Sequence, residues 1–302
     1  VGIERQATIT VGVDGSPESM VAATWAAQEA ARRRMTLELL LSINEPLENH
    51  SGYVFPAPVI EAVRSANRER LADVAAVVRR EHPDIQVRTS LDFVDPRRAL
   101  VTRSRHTSMT VVGTRGHGRL PEVLVGSVAL YVAAHAHSPV AVVPPAADLT
   151  AAGPGGPVVV AVDGRPDSIS AIGFAFDEAA VHHTELVAVL VFDELAYRGF
   201  AKGGSQIGHL EDDEERAVLA QELAGWAEKY PDVPVRQLVL RGQPAQTLLH
   251  YGVGSPAAQR PRLLVVGSRG RGGMAGLLLG STSQRLVTQA TVPVIVVRPE
   301  PG

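Results

Sequence analysis

Short runs rich in β-branched and aliphatic residues alternate along the chain with longer alanine-rich or amphipathic stretches. Thr8–Val13 is such a run, and Pro17–Arg34 after it has the composition of a helix. Leu37–Ile43 is almost continuously apolar, as a strand covered on both faces must be. Val59–Arg80 reads as a helix whose closing Arg79 and Arg80 suit the negative end of its dipole. Strand Ile85–Leu91, helix Pro96–Arg105, strand Met109–Gly113, helix Pro121–His135 and strand Val140–Val143 complete the first half. The second half runs through strand Val158–Val162, helix Ser168–His182, strand Leu186–Phe192, helix Glu211–Tyr230 and strand Val235–Arg241. Helix Pro244–Tyr251, strand Leu263–Gly267, helix Gly276–Ala290 and strand Val294–Val297 close it. Strands alternating with helices predict an α/β fold, each half a five-stranded, mainly parallel sheet with helices on both faces.

The two halves are one unit written twice. Val11-Gly-Val-Asp-Gly-Ser-Pro17 returns as Val160-Ala-Val-Asp-Gly-Arg-Pro166, and Pro96 answers to Pro244. Val111-Val-Gly-Thr-Arg-Gly116 returns as Val265-Val-Gly-Ser-Arg-Gly270, and Pro139-Val140 as Pro293-Val294. The proline- and glycine-rich stretch before Pro157 cannot pack a core. The expected layout is therefore a domain over 1–146, a linker over 147–157 and a second domain over 158–302.

Composition narrows the function classes. The net charge of −3 offers no electrostatic grip on nucleic acid. No apolar run approaches the ~18–20 residues of a membrane span, and residues 1–15 lack the plan of a signal peptide. The expectation is a cytoplasmic protein without membrane insertion. With Cys 0, disulfides, thiolate metal sites and thiol nucleophiles drop out. Histidines His135, His137, His182 and His183 read as surface residues and not as metal ligands, while Trp25 and Phe174 read as core.

In open parallel sheets, ligands lie beyond the carboxyl ends of strands where the strand order reverses. Two segments meet there in each half. One ends the first strand, at Gly12, Val13 and Asp14 or at Ala161, Val162 and Asp163. The other follows the fourth strand, through Gly113, Thr114, Arg115, Gly116, His117, Gly118 and Arg119, or through Gly267, Ser268, Arg269, Gly270, Arg271, Gly272 and Gly273. Glycines let backbone amides turn toward an anion, and the arginines can neutralise phosphate charge. Gly126 and Ser127, like Gly280 and Ser281, add donors where the next helical stretch begins or is interrupted. The spacing Gly-x2-Gly-x9-Gly-Ser describes both 113–127 and 267–281. Asp14 and Asp163 also have a second reading, as caps of the following helices with no ligand involved.

With that spacing, the opening Val-Gly-Val-Asp-Gly-Ser and the closing Pro-Val-Ala-Val-Val or Pro-Val-Ile-Val-Val, the chain resembles a tandem universal stress protein of the ATP-binding subclass. The resemblance spans both halves almost end to end. It implies two Rossmann-like domains with strand order 3-2-1-4-5 and ATP between the first and fourth strands. It implies that Asp14 and Asp163 lie near ribose or phosphates, and that the glycine loops take the phosphates. Ser127, Val128, Ser281, Thr282 and Ser283 stand beyond those loops. Ser42, Ile43, Val191 and Asp193 are implied to meet adenine. Ala161 in place of Gly12 is expected to narrow the room beside the ligand, and Glu122 in place of Gly276 to repel phosphate.

Three function classes compete: a nucleotide-occupied stress or growth regulator, a slow ATPase or phosphotransferase using the same pockets, and a ligand-free interaction scaffold. The first leads. Gly-x4-Gly-Lys-Ser/Thr is absent and the only lysines are Lys202 and Lys229, which disfavours fast phosphoryl transfer. ATP is the expected cofactor, with Mg²⁺ where phosphate charge needs screening and no metal site built by the protein itself. The short apolar strands Val140–Val143 and Val294–Val297 are expected to pair the halves. A homodimer and a regulatory protein partner complete the expected associations.

Overall fold

The computed structural model describes residues 6–44, 55–114, 126–144, 156–165, 168–192, 208–252, 259–269 and 279–299, with side chains of the helix entered at 208 described from 213 onward. The chain divides into two compact units, Val1–Ala146 and Ala147–Gly302.

In the first unit the strands are β1 (Gln6–Gly12), β2 (Thr36–Ser42), β3 (Val87–Asp92), β4 (Thr107–Gly113) and β5 (Val140–Val143). All pair in parallel, in the order β3-β2-β1-β4-β5. The helices are α1 (Pro17–Arg33), α2 (Ala57–Glu81), α3 (Pro96–Arg103) and α4 (Ser127–His135). Local chemistry sets α1 well. Ser16 accepts from the Ser19 amide at 3.1 Å, Pro17 opens the first turn, and Arg32 and Arg33 sit in the last. Its buried face is mostly alanine with Trp25, so the helix lies close on the sheet. Ile9, Val11, Leu37, Leu39, Met109 and Val111 form the sheet's contribution to the core.

The second unit repeats this with β6 (Val158–Val162), β7 (Leu186–Phe192), β8 (Val235–Arg241), β9 (Leu263–Gly267) and β10 (Val294–Val297). These are parallel in the order β8-β7-β6-β9-β10, the same 3-2-1-4-5 arrangement. Its helices are α5 (Ile169–Val181), α6 (Gly208–Lys229), α7 (Pro244–His250) and α8 (Ser281–Gln289). The α5–α6 contact is aromatic. A Cβ added at Gly173 would lie 2.3 Å from the Trp226 ring, so the indole rests directly on that glycine. Phe176 stacks on Trp226 and Tyr230, with centroids 6.3 and 5.6 Å away.

One polar chain of the first unit has no counterpart in the aligned positions of the second. Thr10 Oγ1 donates to Glu38 Oε2 at 2.9 Å, and Ser90 Oγ donates to Glu38 Oε1 at 2.7 Å. Arg103 donates to Glu38 and reaches both Asp92 oxygens at 3.3 Å. The repeat sets Val159, Val187, Leu238, Leu240 and Tyr251 at these five positions in the second unit.

Three expectations need correction. The helices read over Pro121–His135 and Gly276–Ala290 begin, among the described residues, only at Ser127 and Ser281. Gly126 and Gly280 are extended (ψ 150 and 153), because each amide is committed to a loop-closing bond instead of a helical one. Phe174 is half-buried, whereas Phe176 is fully buried. His182 is not a surface histidine: its side chain is 2% exposed, and Nε2 lies 3.4 Å from Oε2 of Glu178, four residues earlier.

Candidate functional site

The strand order reverses between β1 and β4, and between β6 and β9, and in open parallel sheets ligands lie in the crevice outside the carboxyl ends of the strands at such a point. At the β1 end, Val13 is buried and its amide donates to Leu40 O at 2.9 Å. Asp14 Oδ1 then accepts from the Ser16 amide at 2.9 Å and from the Ser16 hydroxyl at 2.6 Å. The tight turn requires Gly15 at φ +82, in the left-handed region that glycine tolerates. Asp14 therefore does not cap α1 itself; it holds Ser16, which does. In the second unit Asp163 Oδ1 accepts from the Arg165 amide at 3.2 Å, with Gly164 at φ +74. Ser168 Oγ lies 2.6 Å from Arg165 O and 2.7 Å from Glu222 Oε2.

The loop after the fourth strand is closed in the same way twice. Thr114 N donates to Val143 O at 3.1 Å, and Gly126 N donates back to Thr114 O at 2.7 Å. Ser268 N donates to Val297 O at 2.8 Å, and Gly280 N to Ser268 O at 2.7 Å. Each loop thus leaves its strand and returns to it within one residue of Gly113 or Gly267. α4 and α8 begin at that return point, with glycine caps that supply no side-chain hydrogen bond. Their first amides are donors in the right place for an anion. Ser127 and Ser281 are exposed, and Val128 and Thr282 half-buried. Ser283 is buried, and its hydroxyl donates to Gly267 O at 2.6 Å.

At the end of β2, Ser42 Oγ donates to Val94 O at 2.7 Å, and Ile43 N to Asp92 O at 3.1 Å. Val162 is buried and Val191 half-buried. Gly12 looks elsewhere: a Cβ built on it would lie 3.1 Å from Leu100 of α3. The methyl of Ala161 is accordingly a matter of helix–sheet packing and not of room beside a ligand. Arg115, Gly116, His117, Gly118, Arg119, Glu122, Asp193, Gly270, Arg271, Gly272, Gly273 and Gly276 lie outside the described residues.

Two cations at these strand ends were absent from the sequence reading. The stem of Arg70, on α2, lies so close to Gly15 that a Cβ there would sit 2.3 Å from Cδ. Arg298 directly follows β10. Neither belongs to a local motif, so only the fold brings them to the strand ends.

Two tandem parallel α/β units, each with an aspartate turn and a closed glycine loop at the reversal point, define the class. The chain belongs to the universal stress protein family, whose sequence profile matches residues 7–144 and 156–298. A universal stress protein of Mycolicibacterium smegmatis is 38% identical over 297 residues, covering 96% of this chain and 97% of that protein. The crystal structure of a universal stress protein from Archaeoglobus fulgidus has the same fold, with TM-score 0.67, 19% identity, and coverage of 97% of this chain and 98% of that one. A universal stress protein solved in complex with cAMP aligns to 47% of this chain and 97% of its own, at 22% identity and TM-score 0.36. Among the described residues, no helix is long and apolar enough to cross a membrane.

Proposed function

We propose that each unit binds an adenine nucleotide, ATP foremost, and that the protein acts through nucleotide occupancy and not through rapid turnover. The observation that carries this reading is the duplicated loop closure, Gly126 to Thr114 and Gly280 to Ser268. It delivers the uncapped start of a helix to the strand-order reversal in both units. The aspartate turns at Asp14 and Asp163 flank the same crevice, within reach of a ribose or of a screening Mg²⁺.

Occupancy without turnover fits the charge inventory. Of the two lysines, Lys229 lies over the rings of Trp226 and Tyr230, 5.0 and 5.5 Å from their centroids. It sits at the end of α6 that leads into the start of β8, away from the carboxyl ends of the strands. Fast phosphoryl transfer needs groups that stabilise charge developing in the transition state, and a lysine beside the phosphates is one of them. Bound nucleotide regulates if it favours one conformation or assembly over another, since only differential affinity shifts such a balance.

Titration calorimetry of the full chain with ATP should give two sites. Replacing Gly116 and Gly270 together by bulky residues should weaken binding at least about tenfold, or ~1.4 kcal/mol. Unchanged affinity in that variant would sink the site assignment. Steady hydrolysis at the ~1–10³ per second typical of enzymes would overturn the occupancy mechanism.

A further inference from the structure

The second unit carries an arginine that the first lacks. Arg298 follows the last residue of β10, and the register Val297↔Gly267 sets it level with Ser268, next to Arg269. The bond from Ser268 N to Val297 O holds these two chain ends together where the arginines leave them. Arg269 is exposed and Arg298 half-buried. Burial, and after it the positive charge of Arg269, push the Arg298 guanidinium below the ordinary arginine range. Beside them Ser268 is 1% exposed, and its Oγ is buried without a hydrogen-bond partner. Buried polar atoms are rarely left so unless something outside the chain completes them. The start of α8 arrives at the same point, through Gly280 N and Ser268 O.

The first unit is built differently there. Pro144 stands in the place of Arg298, and Val128 and Ala129 in the places of Thr282 and Ser283.

We propose that Arg269, Arg298 and the Ser268 hydroxyl form a position for the terminal phosphates of a nucleoside triphosphate, present in the second unit alone. The proposal rests on the nucleotide reading above and adds to it a division of labour. The second unit discriminates by phosphate number through an arginine whose place in the first unit is taken by Pro144.

Calorimetry of the full chain with ATP and with AMP tests this, using the wild type, Arg298→Gln and Arg298→Lys. Arg298→Gln should weaken ATP about tenfold at one of two sites and leave AMP within about twofold. Arg298→Lys keeps the charge and should retain part of the ATP affinity, which separates charge loss from damage to the fold. An unchanged ATP affinity in Arg298→Gln, or equal losses for ATP and AMP, overturns the phosphate position and leaves nucleotide binding standing. Failure of the wild type to bind either nucleotide overturns both.

Discussion

The hydroxyl of Ser283 donates to the carbonyl oxygen of Gly267 across 2.6 Å, tying the first turn of α8 to the end of β9. The first unit has Ala129 in that place and no such tie. Although the family resemblance counts Ser283 among nucleotide contacts, its proton is committed to the backbone. Ser283→Ala should therefore lower the stability of the second unit by about 1 kcal/mol, the usual net worth of a hydrogen bond. Urea unfolding measures this, and an unmoved midpoint would show that the bond stabilises nothing.

Gly173 is needed under Trp226. Replacing a mid-helix glycine by alanine normally gains roughly 0.5–1 kcal/mol, but here the new Cβ would meet the ring at 2.3 Å. Gly173→Ala should lose about 1–3 kcal/mol, as overpacked cores do. The repeat sets Thr24 and Val78 at these two positions in the first unit, a branched Cβ together with a residue smaller than tryptophan. The double variant Gly173→Ala with Trp226→Val should therefore recover part of the loss, and simple additivity of the two substitutions would contradict the packing account.

Asp95 caps α3, accepting from the Arg97 amide at 2.9 Å and pairing with the Arg97 guanidinium at 2.6 Å. The Arg97 side-chain hydrogen bond leads the causes that hold its pKa at about 2, below the ordinary aspartate value of 3.8. A depressed carboxylate stabilises the fold above its unfolded pKa and loses that contribution as pH falls through the folded one. The stability gap between wild type and Asp95→Asn should thus be constant above pH ~4 and close between about pH 4 and pH 2. A gap independent of pH would show that the charge contributes nothing.

At Gly15 two effects act together, the left-handed φ of +82 and the Arg70 stem against the Cα. Gly15→Ala should cost roughly 1–2 kcal/mol for the conformation alone, and more for displacing Arg70. Adding Arg70→Ala should return the second part and leave the first. Denaturation midpoints of the two variants decide it.

Much of the fold was legible because fully covered strands are written as unbroken apolar runs. Leu186–Phe192, Val158–Val162 and Val294–Val297 have the same bounds in sequence and structure. The duplication then fixed which segments correspond. What escaped depends mostly on contacts made between elements. Gly126 lies within a stretch of helical composition, and only its bond to Thr114 O shows why the helix waits for Ser127. Phe174 and Phe176 are two residues apart, and the phase of α5 sends the second, not the first, under Trp226 and Tyr230. The Glu178–His182 pair stood at helical spacing in plain view, a signal that could have been used. Arg298 had no such signal, since its neighbour Arg269 lies one strand away. At the candidate site, the aspartate turns and loop ends were readable as motifs, whereas the commitment of the Ser283 and Ser42 hydroxyls to backbone carbonyls was not.

A chain that carries two copies of one fold risks trading strands between them while it folds. The Glu38 ladder makes that trade unfavourable. β2 inserted beside β6 would set the Glu38 carboxylate against Val159 and the Leu238 and Leu240 side chains, with neither Thr10 nor Arg103 to receive it. The reverse exchange would leave Arg103 and Ser90 facing Val187. The divergence of these five positions therefore works against strand exchange between the halves, each strand finding its polar or apolar complement in its own unit.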